Sequence, residues 1–144
     1  MCRWIGLTLL STVLVGLLGW RAVAARTETK ALTDHRVFEM RTYHVAPGKM
    51  AELQKRFRDH TNRLLEKHGV KLIGFWTPYD PKDADTKLIW IIAHESKTSA
   101  DASWQKFVND PEWKQSFAAS EKNGKLVEKI DRIFLNPTDF SPLK

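Results

Sequence analysis

Two rhythms of hydrophobic residues organise the chain. Over residues 35–45, HRVFEMRTYHV, apolar and polar positions alternate with period two, which predicts a β-strand. Pro47 and Gly48 stop it. Met50, Leu53, Phe57, His60, Leu64 and Leu65 then recur at helical spacing, predicting a helix of about five turns that ends at Gly69, a natural left-handed stop. Residues 70–79, VKLIGFWTPY, and 87–95, KLIWIIAHE, read as the second and third strands, with the turn-rich DPKDADTK between them. Ser99 is placed to cap a short helix carrying Trp104, Phe107 and Val108. Asp110 as cap and Pro111 at the first helical position start another, with Trp113 and Phe117 on its apolar edge. Asn123-Gly124 ends that helix. Residues 125–135, KLVEKIDRIFL, form the fourth strand, and a turn-rich tail closes the chain.

The order β-α-β-β-α-β predicts an α+β, ferredoxin-like unit, a four-stranded antiparallel sheet with its helices on one face. Strand parity then assigns side chains to faces. In the first strand it sends Phe38 and Met40 toward the helices and leaves Glu39, Arg41 and Tyr43 on the open face. In the third, Leu88, Trp90, Ile92 and His94 share one face, and Ile89, Ile91 and Ala93 the other. In the fourth, Ile130, Arg132 and Phe134 alternate with Asp131, Ile133 and Leu135. A sheet with one face in water shows a polar set on every strand, and these strands do not. The open face is therefore expected to be covered by a second copy. Glu39 and Arg41 would be semi-buried charges paired with Arg132 or with the twin subunit.

The segment before residue 25 follows neither rhythm. Arg3 precedes a nearly unbroken apolar run, Ile5 to Leu18, which leads to Ala22-Val23-Ala24. That layout is a secretory signal peptide, residues 1–24, joined by a polar linker, residues 25–34, to a domain over residues 35–144. An uncleaved signal anchor is the alternative, and with it the sole route to a membrane-bound form. The single cysteine, Cys2, precedes the apolar run, so a mature chain would lack thiol chemistry and cysteine-ligated metals. A core of about 110–120 residues must stabilise it instead. The 144-residue chain carries a formal charge of +6. Basic residues concentrate in 49–67, but acids interleave there, with Glu52 before Arg56 and Asp59 before Arg63 at i,i+4 spacing. A solvated helix face accounts for this, and nucleic acid is not an expected partner. There is no phosphate-binding glycine loop, nucleophile elbow or HExxH motif, which weighs against nucleotide enzymes and hydrolases.

Several stretches together, FEMRTYHVAPGKM (38–50), WIIAHES (90–96), SWQKFVNDPEW (103–113) and LNPTDFSPLK (135–144), resemble the NIPSNAP family. The most specific pieces are Arg41-Thr42-Tyr43 with Pro47-Gly48, and Trp104, Phe107, Asp110-Pro111 and Trp113. The resemblance covers residues 36–144. It implies a homodimeric α+β barrel built from ferredoxin-like units and, with the leader, an exported bacterial member, periplasmic or extracellular. Where the family often has a basic residue before the first of these tryptophans, this chain reads SADAS (99–103). For bacterial members the resemblance implies fold and dimerisation rather than a reaction.

The candidate pocket residues are Arg41, Tyr43, His60, Trp76, Trp90 and His94. His60 lies on the apolar stripe of the first helix, aimed at the sheet. Related dimeric barrels hold haem or an aromatic substrate between helix and sheet, so His60 is either a haem ligand or proton carrier there, or a core histidine. His44 and His94 end adjacent sheet elements and would meet near one rim, a weak metal signal without a carboxylate at fixed spacing. Arg41 with Tyr43 and Glu39 suits an anionic or quinone-like ligand, or a structural ion-pair network. Trp76, Trp90, Trp104 and Trp113 line an aromatic pocket or pack the core. The expected function is an exported homodimer binding a small apolar or aromatic ligand or a protein partner. A cofactor-independent monooxygenase-like or haem-handling enzyme is the alternative; no cofactor or metal is otherwise expected.

Overall fold

The computed structural model describes residues 36–144, so the expected leader, residues 1–24, and linker, residues 25–34, lie outside the described residues. Four strands, β1 (Val37–Val45), β2 (Lys71–Trp76), β3 (Lys87–His94) and β4 (Val127–Leu135), form one antiparallel sheet in the order β2-β3-β1-β4. This is the ferredoxin-like order anticipated from the sequence. Helix α1 spans residues 50–67, α2 is Lys97–Asn109 and α3 is Pro111–Ser120. Among the described residues no helix is long and apolar enough to cross a membrane.

Helix α1 is not uniform. Met50–Arg56 and Asn62–Lys67 are α-helical, and Phe57–Thr61 between them is a π-helical turn. The extra residue in that turn rotates the remainder of the helix about its axis. Thr61, 3% exposed, takes the inward position, and its hydroxyl donates to the Arg56 carbonyl at 3.2 Å. His60 is displaced to the helix flank, half-buried. The expectation that it faces the sheet is overturned, because the periodicity argument assumed an unbroken α-helix. Gly69 at φ +82° ends α1, with its own N–H on the Glu66 carbonyl and that of Val70 on the Leu65 carbonyl. That paired arrangement satisfies the last carbonyls of the helix.

The caps explain where α2 and α3 begin. Ser96, rather than Ser99, caps α2: its hydroxyl accepts from the Ser99 N–H, while the Ser99 hydroxyl accepts from the Ser96 N–H. Ser99 is thus the reciprocating third residue of a capping box. Asp110 caps α3, accepting from the Glu112 N–H at 2.8 Å with Pro111 in the first turn. It also accepts from Lys67 Nζ at 2.7 Å and lies 2.8 Å from His68 Nε2, tying the α2–α3 corner to the end of α1. Those contacts hold its carboxyl well below the usual carboxylate range.

Register decides the faces. Glu39 stands opposite Ile92 and Phe134, Arg41 opposite Trp90 and Arg132, and Tyr43 opposite Leu88 and Ile130. Trp90 and Ile92 are buried beneath the helices with Leu53, Leu64, Leu65 and Phe107. Glu39, Arg41 and Tyr43 therefore point at the helices, the reverse of the face expected for them. Phe38, Met40, Ile89, Ile91, Ile133 and Leu135 occupy the other face. Alternation alone sends charges outward by default. Here both faces are apolar, and a carboxylate with enough donors can be buried, so the charges lie inside.

Leu64 is fully buried under the sheet. Leu64→Ala is expected to cost about 2–5 kcal/mol by leaving a cavity, read as a lower denaturation midpoint with an unchanged m-value.

Candidate functional site

The helix-facing side of the sheet carries a buried ionic cluster centred on Glu39. Its side chain is completely shielded. One carboxylate oxygen accepts from Arg41 Nε at 2.7 Å; the other accepts from the indole N–H of Trp104 at 2.7 Å and lies 3.2 Å from His94 Nε2. Arg132 Nε is 4.0 Å from the first oxygen. All these partners belong to the same chain, so the expected pairing of Glu39 and Arg41 across a subunit boundary is not needed. Burial works to raise the Glu39 pKa, but the bonds from His94, Trp104 and Arg41, with the Arg41 charge, outweigh it and hold the group at about 2. The Arg41 guanidinium in turn lies 3.7 Å over the Trp104 ring, a cation–π contact that fixes its direction.

Beside this cluster a cleft of about 800 Å³ opens between the sheet, the π-turn of α1 and the α2–α3 pair. Arg41, Tyr43 and Trp90 form its floor. Trp104, Phe107, Trp113 and Phe117 make an aromatic wall, their rings in successive edge and tilted contacts 4.4–5.6 Å apart. Phe57 and Arg56 close the α1 side, and Ile130 and Arg132 the β4 side. Tyr43 packs edge-on against Phe57 and Trp90, at 5.9 and 5.5 Å. Burial pushes its phenol above the ordinary value, while the nearby Arg41 and Arg56 charges pull the other way.

Arg56 was not among the candidates. The i,i+4 pairing with Glu52 had assigned it to a solvated face, yet it is 5% exposed. Its Nη1 donates to Glu121 Oε1 at 2.9 Å and Ser120 Oγ at 3.1 Å, and its guanidinium sits 5.1 Å from the Phe117 ring centre. Glu52 pairs with Lys49 instead, Asp59 with Lys55 and Arg63 with Glu112. The sequence did carry a signal: Arg56 follows Leu53 by three, on the inward stripe.

Of the candidate pocket residues, Arg41, Tyr43 and Trp90 meet in the cleft, and Trp104 and Trp113 join them. His94 is buried behind Glu39 and does not line the cleft. His60 borders a separate shallow hollow between α1 and α3, with Lys55, Asp59 and Ser116. Trp76 pairs with Ile89 and is half-exposed; its ring lies against Gly74, on the face away from the cleft. His44 and His94 do not meet. They lie at opposite ends of the β1–β3 pairing and on opposite faces, and His44 contacts Asp131 at 2.7 Å. Among the described residues no cluster of three or more metal-ligating side chains occurs. No histidine, cysteine or methionine lines the cleft, and Tyr43 is its single side chain of a kind that ligates haem iron.

Removing the Glu39 carboxylate leaves Arg41, His94 and the Trp104 N–H without their acceptor. Glu39→Ala is expected to destabilise the fold by about 3–5 kcal/mol, measured by chemical denaturation. Because the folded pKa lies below the ordinary 4.5, the stability Glu39 contributes is fully present above that pH and is lost as pH falls toward about 2. Acid titration of wild type should show that loss, and Glu39→Gln should flatten it.

The NIPSNAP family model matches residues 38–142. A NIPSNAP family protein from Agrobacterium tumefaciens superposes with a TM-score of 0.66 at 26% identity, covering 76% of this chain and 100% of its own. A second, of unknown function and from the same organism, gives 0.66 at 22% identity, covering 77% and 96%. A putative antibiotic biosynthesis monooxygenase from Bacteroides thetaiotaomicron shares the fold at a TM-score of 0.52 and 9% identity, covering 76% and 95%. No curated protein matches the chain significantly. With its family match spanning nearly all the described residues, this chain belongs to the NIPSNAP family.

Proposed function

We propose that this NIPSNAP protein is an exported homodimer that binds a small, mainly apolar or aromatic ligand in the cleft between sheet and helices. The observation that carries the binding reading is the cleft itself. It has the volume and the apolar, ring-rich lining of small-molecule sites, with a few polar groups gathered at its floor. Support for the homodimer comes from the opposite face of the sheet, where Ile133 and Leu135 are 50% and 37% exposed beside Met40, Ile89 and Ile91. A contiguous apolar surface of this kind marks an interaction site. Export rests on the signal-like segment through Ala24. The monooxygenase-like alternative lacks a comparable observation, since no histidine lines the cleft and its one lining carboxylate, Glu121, is engaged by Arg56.

A neutral fluorescent probe, N-phenyl-1-naphthylamine, should bind saturably at one site per chain. Val108 and Ile130 border the cleft and are 44% and 48% exposed, so replacing both by tryptophan fills space without disturbing the core. That double variant should weaken probe binding about tenfold or more, given the contacts a filled pocket loses. Unsaturable binding, or binding indifferent to the double variant, rules the cleft out as the site.

Light scattering coupled to size exclusion tests the assembly. Wild type should run at twice the chain mass and Ile133→Glu at the chain mass with unchanged secondary structure. A monomeric wild type removes the dimer from the proposal.

A further inference from the structure

The polar floor of the cleft is unbalanced in two ways. Four cationic side chains border it, Arg41, Arg56, Lys125 and Arg132, against a single lining carboxylate, Glu121. Glu39 lies behind Arg41 and Glu121 beside Arg56, at 2.7 and 2.9 Å, so positive charge remains in excess around the space. The second imbalance is in hydrogen bonds. Arg56 Nε and Trp90 Nε1 are buried on cleft-lining side chains and have no acceptor. Buried donors are almost always satisfied, and one left unpaired costs stability. Both nitrogens lie just beneath the cleft surface, on side chains where negative charge is also short.

Taking the cleft as a ligand site, we infer that its ligand class is a planar aromatic carboxylate, held with its acid group toward Arg56 and its ring system against the tryptophan and phenylalanine wall. A carboxylate supplies what the floor lacks, acceptor oxygens and negative charge in a geometry that a guanidinium binds as a fork. Arg56 is suited to this. Its Nη1 is already anchored on Glu121 and Ser120, so its orientation is set before a ligand arrives, while its Nε, shielded beneath the cleft surface, has no acceptor within the chain. The wall argues for a flat, aromatic body over an alkyl chain. Trp104, Phe107 and Trp113 present ring faces and edges in tilted sequence, the arrangement that accepts another ring by edge or offset contact. Phe57 and Tyr43 offer the same from the other side.

The test is displacement of N-phenyl-1-naphthylamine from the full chain at neutral pH by 2-naphthoate, 2-naphthamide and decanoate. The acid should displace the probe at about tenfold lower concentration than its neutral amide, as expected for a charge-assisted, forked contact. Decanoate should need a higher concentration than naphthoate. Arg56→Met should erase the preference for acid over amide while probe and amide still bind. Should that variant fail to fold, Arg132→Gln at the half-exposed rim carries the same test and should reduce the preference severalfold. Equal displacement by acid and amide overturns the acid class while leaving the cleft as a ligand site. Decanoate as effective as naphthoate overturns the aromatic body. A probe that does not bind at all removes the cleft reading and this inference with it.

Discussion

The Glu39 carboxylate is the constraint around which the rest is arranged. A charge buried this completely is tolerated only when donors replace the water it has lost. Arg41 supplies one from the same strand, His94 another from the neighbouring strand and Trp104 a third from α2. The cluster therefore fixes more than a charge. It sets the height of α2 above the sheet, since the indole N–H must reach the carboxylate. It also aims the Arg41 guanidinium across the Trp104 ring, at one end of the cleft. A buried ion pair is weak evidence for net stability, because desolvation offsets much of the Coulomb gain. Its value here lies in specifying one geometry among the several that an all-apolar floor would permit.

A second constraint acts from the other side of the cleft. In a regular α-helix, His60 would hold the inward position between Phe57 and Leu64. The π-turn gives that place to Thr61, whose hydroxyl donates back to the Arg56 carbonyl. Just before the turn, Arg56 is held inward against Glu121 and Ser120. Such turns recur at functional sites, and here the break moves an imidazole away from the cavity that Arg56 and Phe57 line. The site is consequently built from arginines and aromatics.

The sheet uses its faces for different purposes, and the division comes from register. Odd-numbered residues of β1 join Trp90, Ile92, Arg132 and Ile130 on the helix-facing side that carries the cleft floor. Even-numbered residues join Ile89, Ile91, Ile133 and Leu135 in a surface that is apolar toward the Phe38 end, with Asp131 opposite Thr42 and Lys87 and Lys129 opposite His44 at the other. A one-residue slip of β1 would exchange the two sets and place Glu39 among isoleucines. The buried ionic cluster therefore also protects the register that keeps the Phe38 end of the outer face apolar.

Local sequence settled the order of the elements and several of their boundaries. Alternation in 35–45, the Gly69 stop and the Asp110-Pro111 cap depend on neighbours within a few residues, and all three hold. The aromatic wall was legible too, because Trp104, Phe107 and Trp113 keep to one helical pattern across a cap. Tertiary structure alone decided which face of each strand is inside and which helical residue points in. Period-two alternation places residues on two faces without saying which is which when both are apolar, so Glu39, Arg41 and Tyr43 were sent the wrong way. Helical spacing likewise gives no sign of a single π-turn, so His60 was kept; Arg56, although on the inward stripe, was assigned to water by its spacing from Glu52. Those choices rest on partners distant in the chain, Trp104, His94 and Glu121, whose hydrogen bonds make a buried charge tolerable and which no local pattern connects.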